Sequence, residues 1–266
     1  MPVRSRPDIE TTDPEEKMSA LPGTTGRRRI YLMRHGHVDY FAKEVVDTGD
    51  PRLARLTEQG EEEASAAGDA LSDVSFDLAI CSGLLRSEQT AQIVLSYQRD
   101  RAPELESDSR FEELNSGTFI HFESREQLAA TMSFQFENAN APGATFLEGG
   151  ERFTDGLDRA VQAIKTLIAR PGWSQALIVG HEGINRVILS WICNAELNAT
   201  LAFEQDTGCI NILDLDLVPS EKNDAVEIER KLIKSVNLTP LNYQKHGMNL
   251  RSFEAIFRQH DPIGDD

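Results

Sequence analysis

Four separated pieces of the sequence carry side chains suited to a phosphate: Arg34-His35-Gly36, the stretch Ser82 to Ala91 with Arg86 inside it, Glu113, and Gly180-His181-Glu182-Gly183. Guanidinium forks bind the nonbridging oxygens of a phosphoryl group in pairs, and those oxygens gather charge during transfer. A neutral imidazole attacks phosphorus when one ring nitrogen is free and the other is pinned by a hydrogen bond that fixes the tautomer. A carboxylic acid can give a proton to the departing oxygen and later take one from water. Taken singly, each residue has a plainer reading, since a lone strand-end histidine is usually a core residue and a lone arginine usually a surface ion-pair partner. What points to chemistry is that each of the four pieces ends a strand or begins a helix.

The elements that must position them follow from hydrophobic periodicity. Arg28-Arg29-Ile30-Tyr31-Leu32-Met33 is a β-prone run closing on Arg34-His35-Gly36, as a buried strand opening into a loop would. Thr57 to Leu71 begins with a capping threonine and acidic residues and reads as a helix. Phe76 to Cys81 predicts a second strand, and Leu84 to Tyr97 a helix opened by Ser82 and Gly83. Glu151 to Ala169 has Phe153, Leu157, Val161, Ile164 and Ile168 at helical spacing, stopped by Arg170-Pro171-Gly172. Ala176 to Gly180 is then a buried strand and Gly183 to Cys193 an apolar helix. Strands alternating with helices make parallel βαβ units, so the fold class is α/β: three layers, α/β/α, with a mixed, mainly parallel sheet and the functional loops at the strands' carboxyl ends. Ile210 to Leu217 and Val226 to Val236 predict two later strands, the second an edge strand. Residues 118–148, with five phenylalanines, Pro142 and Gly143, read as a lid-like insertion, and Ser252 to Gln259 as a weak amphipathic helix.

Together the pieces resemble the histidine phosphatase superfamily, in particular its phosphoglycerate mutase-like branch. That branch shows an RHG strand end, an LTxxG helix start, an SxLxRxxQTA helix and a GH after a later strand. Here these stand as Leu32-Met33-Arg34-His35-Gly36, Leu56-Thr57-Glu58-Gln59-Gly60, Ser82-Gly83-Leu84-Leu85-Arg86-Ser87-Glu88-Gln89-Thr90-Ala91, and Val179-Gly180-His181-Glu182-Gly183. The likeness spans roughly residues 29–217, in family order.

The resemblance implies a phosphoglycerate mutase-like fold and hydrolysis of a phosphomonoester through a phosphohistidine on His35. Arg34, Arg86 and His181 would bind the phosphate, keeping His35 neutral and stabilising the transferred charge without a metal or other cofactor. Glu113 would be the acid, in Phe111-Glu112-Glu113-Leu114-Asn115-Ser116-Gly117, which resembles the family's LxExxxG segment. Glu112 lies one register away and stays an alternative.

Other readings compete. His35-Gly36-His37-Val38-Asp39 spells HxHxD, a spacing of metallohydrolases, but no further ligands accompany it. A phospholigand-binding module that has lost turnover is a second alternative. A phosphoglycerate mutase-type phosphotransferase is a third, and against it Val38 and Phe41 stand where the mutase-like pattern has Ser or Thr and Asn, while Thr118-Phe119-Ile120-His121 lacks the pattern's second glutamate and glycine. Tyr40, Phe41, Phe119 and Phe122 either line the mouth of the site or pack the lid. Glu151 reads as a helix cap, and His121, His246 and His260 have no supporting partners.

The formal charge is −17. Residues 1–28 contribute nothing to it, since Arg4, Arg6, Lys17, Arg27 and Arg28 balance Asp8, Glu10, Asp13, Glu15 and Glu16. The rest of the chain therefore repels nucleic acid and anionic lipid, and an anionic substrate must be drawn by a local cationic pocket. No apolar run approaches the ~18 residues of a membrane span. Residues 1–28 read as a disordered leader without a secretory signal, 29–240 as the phosphatase domain and 241–266 as an extension packed on it, which points to the cytoplasm. The partner is a small-molecule phosphoester, with a homo-oligomer possible. Cys81, Cys193 and Cys209 lack paired spacing and read as small core residues.

Overall fold

The computed structural model describes residues 26–40, 42–117, 134–220 and 226–245. In chain order these hold β1 (Gly26–Arg34), α1 (Lys43–Thr48), α2 (Glu58–Ala70), β2 (Leu78–Cys81), α3 (Leu85–Ser96), β3 (Leu105–Ser107), α4 (Phe153–Ile168), β4 (Gln175–Gly180), α5 (Glu182–Ile192), β5 (Ile210–Pro219) and β6 (Val226–Leu238). The strands form one sheet in the order β3-β2-β4-β1-β5-β6. The first four run parallel, and β5 lies antiparallel between β1 and β6, so the sheet is mixed.

Alternation along the strands divides the core into two layers. Ile30, Leu32, Ile80, Ala176 and Ile178 face α4 and α5, whereas Tyr31, Met33, Ala79, Cys81, Leu177 and Val179 face α2 and α3. This is the helix-sheet-helix sandwich that apolar faces on both sides of a parallel sheet require.

Several expectations are corrected. β1 begins at Gly26, so the last three residues read as leader belong to the sheet. Arg27 is held there by a two-pronged hydrogen bond to Asp216 on β5, at 2.7 and 3.0 Å, and Arg29 binds Asp214 in the same way at 2.7 and 2.8 Å. The three-residue β3 and the six-residue α1 are too short to leave a periodic signal in the sequence. Of the insertion, residues 118–133 lie outside the described residues, as do Phe41 and the 252–259 helix. Phe136 and Phe146 are buried in the α4/α5 core and meet Phe153 at 5.9 and 6.2 Å between ring centroids, so this part of the insertion packs the core. Cys81 and Cys209 are buried, but Cys193 is exposed because α5 ends one residue earlier and the chain turns outward.

Candidate active site

Strand register brings the pieces together. Arg34 at the end of β1 sits beside Gly180 at the end of β4, so the next residues, His35 and His181, are neighbours with ring centroids 5.0 Å apart. β2 lies on the other side of β4, with Cys81 opposite Val179, and the chain leaves it through Ser82 into α3, which carries Arg86 in its first turn. β3 ends beside β2, and Asp108 N–H donates to the Cys81 carbonyl before the chain reaches Glu113. Four parallel strands thus deliver four groups to one end of the sheet.

His35 is 2% exposed, and its Nδ1 donates to the Gly36 carbonyl at 2.7 Å, which leaves Nε2 as the lone-pair nitrogen. Arg86 Nε donates to that nitrogen at 3.2 Å, while its Nη1 donates to the Pro51 carbonyl at 3.2 Å. Burial, then the charges of Arg86 and Arg34, hold His35 well below the usual imidazole range, so it stays neutral. The Tyr40 ring lies 5.7 Å from the Arg86 guanidinium.

The backbone of the loop that holds His35 is tied to side chains on two helices. Thr90 Oγ1 accepts from Gly36 N–H at 3.1 Å, and Glu63 accepts from His37 N–H at 2.8 Å. His37 turns its Nδ1 to Thr57 Oγ1 at 2.8 Å, so the HxHxD residues do not converge; among the described residues no three metal-binding side chains gather. Val38 is buried with Val45, Ala54 and Leu56 and offers no polar contact to the site.

His181 is fully buried, with Nε2 hydrogen-bonded to Ser82 Oγ at 2.8 Å and Ser82 in turn to Ser87 Oγ at 2.7 Å. Its Nδ1 has no hydrogen-bond partner among the described residues. Burial and the nearby Arg86 depress its basicity too. The contact of Ser82 with His181 was legible only as part of a motif, since a serine's partner across 99 positions leaves no local trace.

Glu113 reaches the first turn of α5, where its carboxyl accepts from Gly183 N–H at 3.0 Å and Ile184 N–H at 3.1 Å, as well as from Leu114 N–H at 2.9 Å. Gly183 is needed for this approach, because a Cβ there would stand 2.7 Å from Glu113 Oε1. Loss of solvation raises the Glu113 carboxyl above the ordinary value against the pull of those donors. Glu112 instead pairs with the exposed Arg52 at 3.2 Å. Arg159 on α4, unremarked in the sequence, donates to the carbonyls of Arg110, Glu112 and Glu113. Glu151 does not cap α4: it binds Arg159 at 2.6 Å and accepts from Asn115 N–H at 3.0 Å, tying down the segment that carries Glu113. A cavity of about 600 Å³ adjoins Glu113, lined also by Glu112, Asn115, Gly117, Glu151 and Arg159.

Arg34 and Glu182 form an ion pair that the motifs did not foretell. Arg34 Nη1 lies 3.1 Å from Glu182 Oε2 and donates to the Gln205 carbonyl at 2.6 Å. Glu182 also binds Arg186, one turn along α5, at 2.8 Å. The i,i+4 spacing of Glu182 and Arg186 was the available signal.

The model of the histidine phosphatase superfamily, branch 1, matches residues 30–218. The chain belongs to that superfamily. Its curated relatives include an adenosylcobalamin/alpha-ribazole phosphatase of Escherichia coli (strain K12), 28% identical over 192 residues, which are 71% of this chain and 90% of the relative. A probable phosphoglycerate mutase of Erwinia tasmaniensis is 27% identical over 172 residues, 64% of this chain and 77% of the relative. Among solved structures, a mycobacterial glucosyl-3-phosphoglycerate phosphatase superposes with a TM-score of 0.60 at 20% identity, covering 79% of this chain and 99% of that one, which shows a shared fold.

Proposed function

We propose that this histidine phosphatase hydrolyses a small-molecule phosphomonoester in two steps, with His35 Nε2 as the nucleophile. Nε2 attacks phosphorus and forms the N–P bond while the ester P–O bond breaks, and Glu113 donates its proton to the leaving oxygen. Water then attacks the phosphohistidine, Glu113 takes the water's proton, and inorganic phosphate leaves with the imidazole restored. Arg34, Arg86 and His181 bind the equatorial oxygens. The observation that carries this reading is the pinned tautomer of His35: Nδ1–H is spent on the Gly36 carbonyl and the opposite nitrogen faces a guanidinium.

Hydrolysis is favoured over mutase chemistry because a mutase must hold its released monophosphate by extra polar contacts, and Val38 is given over to packing. Small metabolite esters fit the names of the relatives and the net charge of −17, which disfavours nucleic acid as a partner. A cytoplasmic location is part of the proposal. Among the described residues no helix is long and apolar enough to cross a membrane.

The test is a screen of phosphorylated metabolites in the presence of a chelator. Phosphate release insensitive to EDTA, abolished in a folded His35→Ala variant, is the expected result. Substantial activity in that variant would sink the mechanism. Interconversion of 2- and 3-phosphoglycerate faster than phosphate release would make the chain a mutase.

A further inference from the structure

Arg34 and Arg86 are both about as buried as His35, yet they are not charged alike toward an incoming anion. Arg86 has no carboxylate partner among the described residues, whereas Arg34 faces one, Glu182, which is itself 4% exposed. We propose that Glu182 competes with phosphate for Arg34, lowering the positive charge of the cradle so that inorganic phosphate is held weakly and leaves quickly.

The inference rests on the reading of His35 as the phosphorylated residue, and it concerns what the surrounding charges do to the product. A buried guanidinium without a counterion is costly, and Glu182 meets that need at Arg34. A phosphate dianion bound to Arg34 then replaces a counterion already in place, so the Coulombic gain on binding is smaller than two arginines would suggest. It also brings a second anion against Glu182, and like charges at close range disfavour binding.

Glu182 has somewhere to go. Arg186 already holds its other oxygen at 2.8 Å and is itself buried, between the Glu204 carboxylate at 3.5 Å and the Phe136 ring, whose centroid lies 4.7 Å from the guanidinium. The carboxylate is therefore shared between two arginines and shifts its weight from Arg34 to Arg186 when phosphate arrives. Phe136 belongs to the inserted segment, so that segment reaches the phosphate arginine through Arg186 and Glu182 in turn. This also gives a physical sense to acid in the Gly180-His181-Glu182-Gly183 turn, which charge complementarity to phosphate alone would not place there.

The experiment measures binding of inorganic phosphate to the full chain, by calorimetry and as product inhibition, in the wild type and in Glu182→Gln. Competition predicts that the variant binds phosphate at least about tenfold tighter, with a larger thermal stabilisation by phosphate because the anion then meets no Glu182 carboxylate at Arg34. If Glu182 instead positions Arg34 for the substrate, the same variant binds phosphate more weakly, and that result, or unchanged binding, overturns the proposal. Should Glu182→Gln fail to fold even in phosphate, Glu182→Asp withdraws the carboxylate from Arg34 while keeping its charge. It must then tighten phosphate in the same direction by a smaller factor. A wild type that neither binds inorganic phosphate nor releases it from any ester removes the functional reading itself. A wild type that does both, beside a variant that binds no tighter, removes only the role of Glu182.

Discussion

Arg86 Nε lies 3.2 Å from His35 Nε2, so the guanidinium that would bind the phosphoryl group also addresses the nitrogen that would attack it. The arginine N–H is directed at the lone pair. A phosphoryl oxygen that took over the N–H would free the nitrogen proposed as the nucleophile.

Arg86→Ala should therefore act twice. Removing a charge-assisted donor to the transferring group lowers kcat/KM by roughly 10²- to 10³-fold. Its charge is also, after burial, the largest influence keeping His35 unprotonated, so the acid limb of the kcat/KM profile should move to higher pH. A pH-rate profile of the variant checks both, and an unmoved limb would dissociate Arg86 from His35.

The depressed basicity of His35 and His181 also bears on stability. In the folded chain both stay neutral through mildly acidic pH, while in the unfolded chain each binds a proton below about 6.5. The unfolded state then holds more protons, and stability falls with it. The contribution of the pair is thus fully present above the unfolded value and is lost as pH falls through and below it. Urea titrations from pH 7.5 to 5 should show a declining midpoint, with a shallower decline in His181→Gln.

The parallel half of the sheet was legible because each βα unit pairs an apolar run with a capped or amphipathic helix, and the site was legible because Arg34, His35, Arg86 and His181 each follow one of those runs. What escaped depends on contacts with no local period. Glu182 looked like one letter of a turn until α5 laid it against Arg34, and Ser87 like one letter of α3 until its hydroxyl met Ser82. Phe136 and Phe146 looked like lid residues because aromatic content says that a segment packs, not what it packs against. Arg159 gave no signal, since its partners are carbonyls, which every residue carries.

Ser82→Ala should remove the hydrogen bond that orients the buried ring of His181. The imidazole is then free to rotate or change tautomer, and we expect kcat to fall roughly tenfold with a smaller change in KM, the signature of a lost transition-state contact. Ser87→Ala, which leaves the Ser82 hydroxyl in place and still held by Leu84 N–H, should cost less. Equal losses in steady-state kinetics would indicate a packing effect.

Gly60→Ala tests the seat of the His35 loop. The start of α2 passes so close to that loop that a Cβ on Gly60 would fall 2.2 Å from the His37 carbonyl oxygen and 2.8 Å from its nitrogen. From the other side, a Cβ on Gly36 would fall 2.4 Å from the Gly60 carbonyl oxygen. These neighbours are backbone and cannot swing aside as a side chain would, so the methyl must displace the loop or the helix. The loop is the softer of the two, because α2 is fixed through Ala64 and Ala67, both fully buried. The variant should lose about 2 to 4 kcal/mol of stability, at the upper end for a single strained contact. It should lose activity out of proportion, because the shift carries Gly36 away from Thr90 and with it the carbonyl that fixes the His35 tautomer. Chemical denaturation gives the first quantity and kcat under conditions of full folding the second. A stable variant of normal kcat would show that the loop does not depend on α2 for its place.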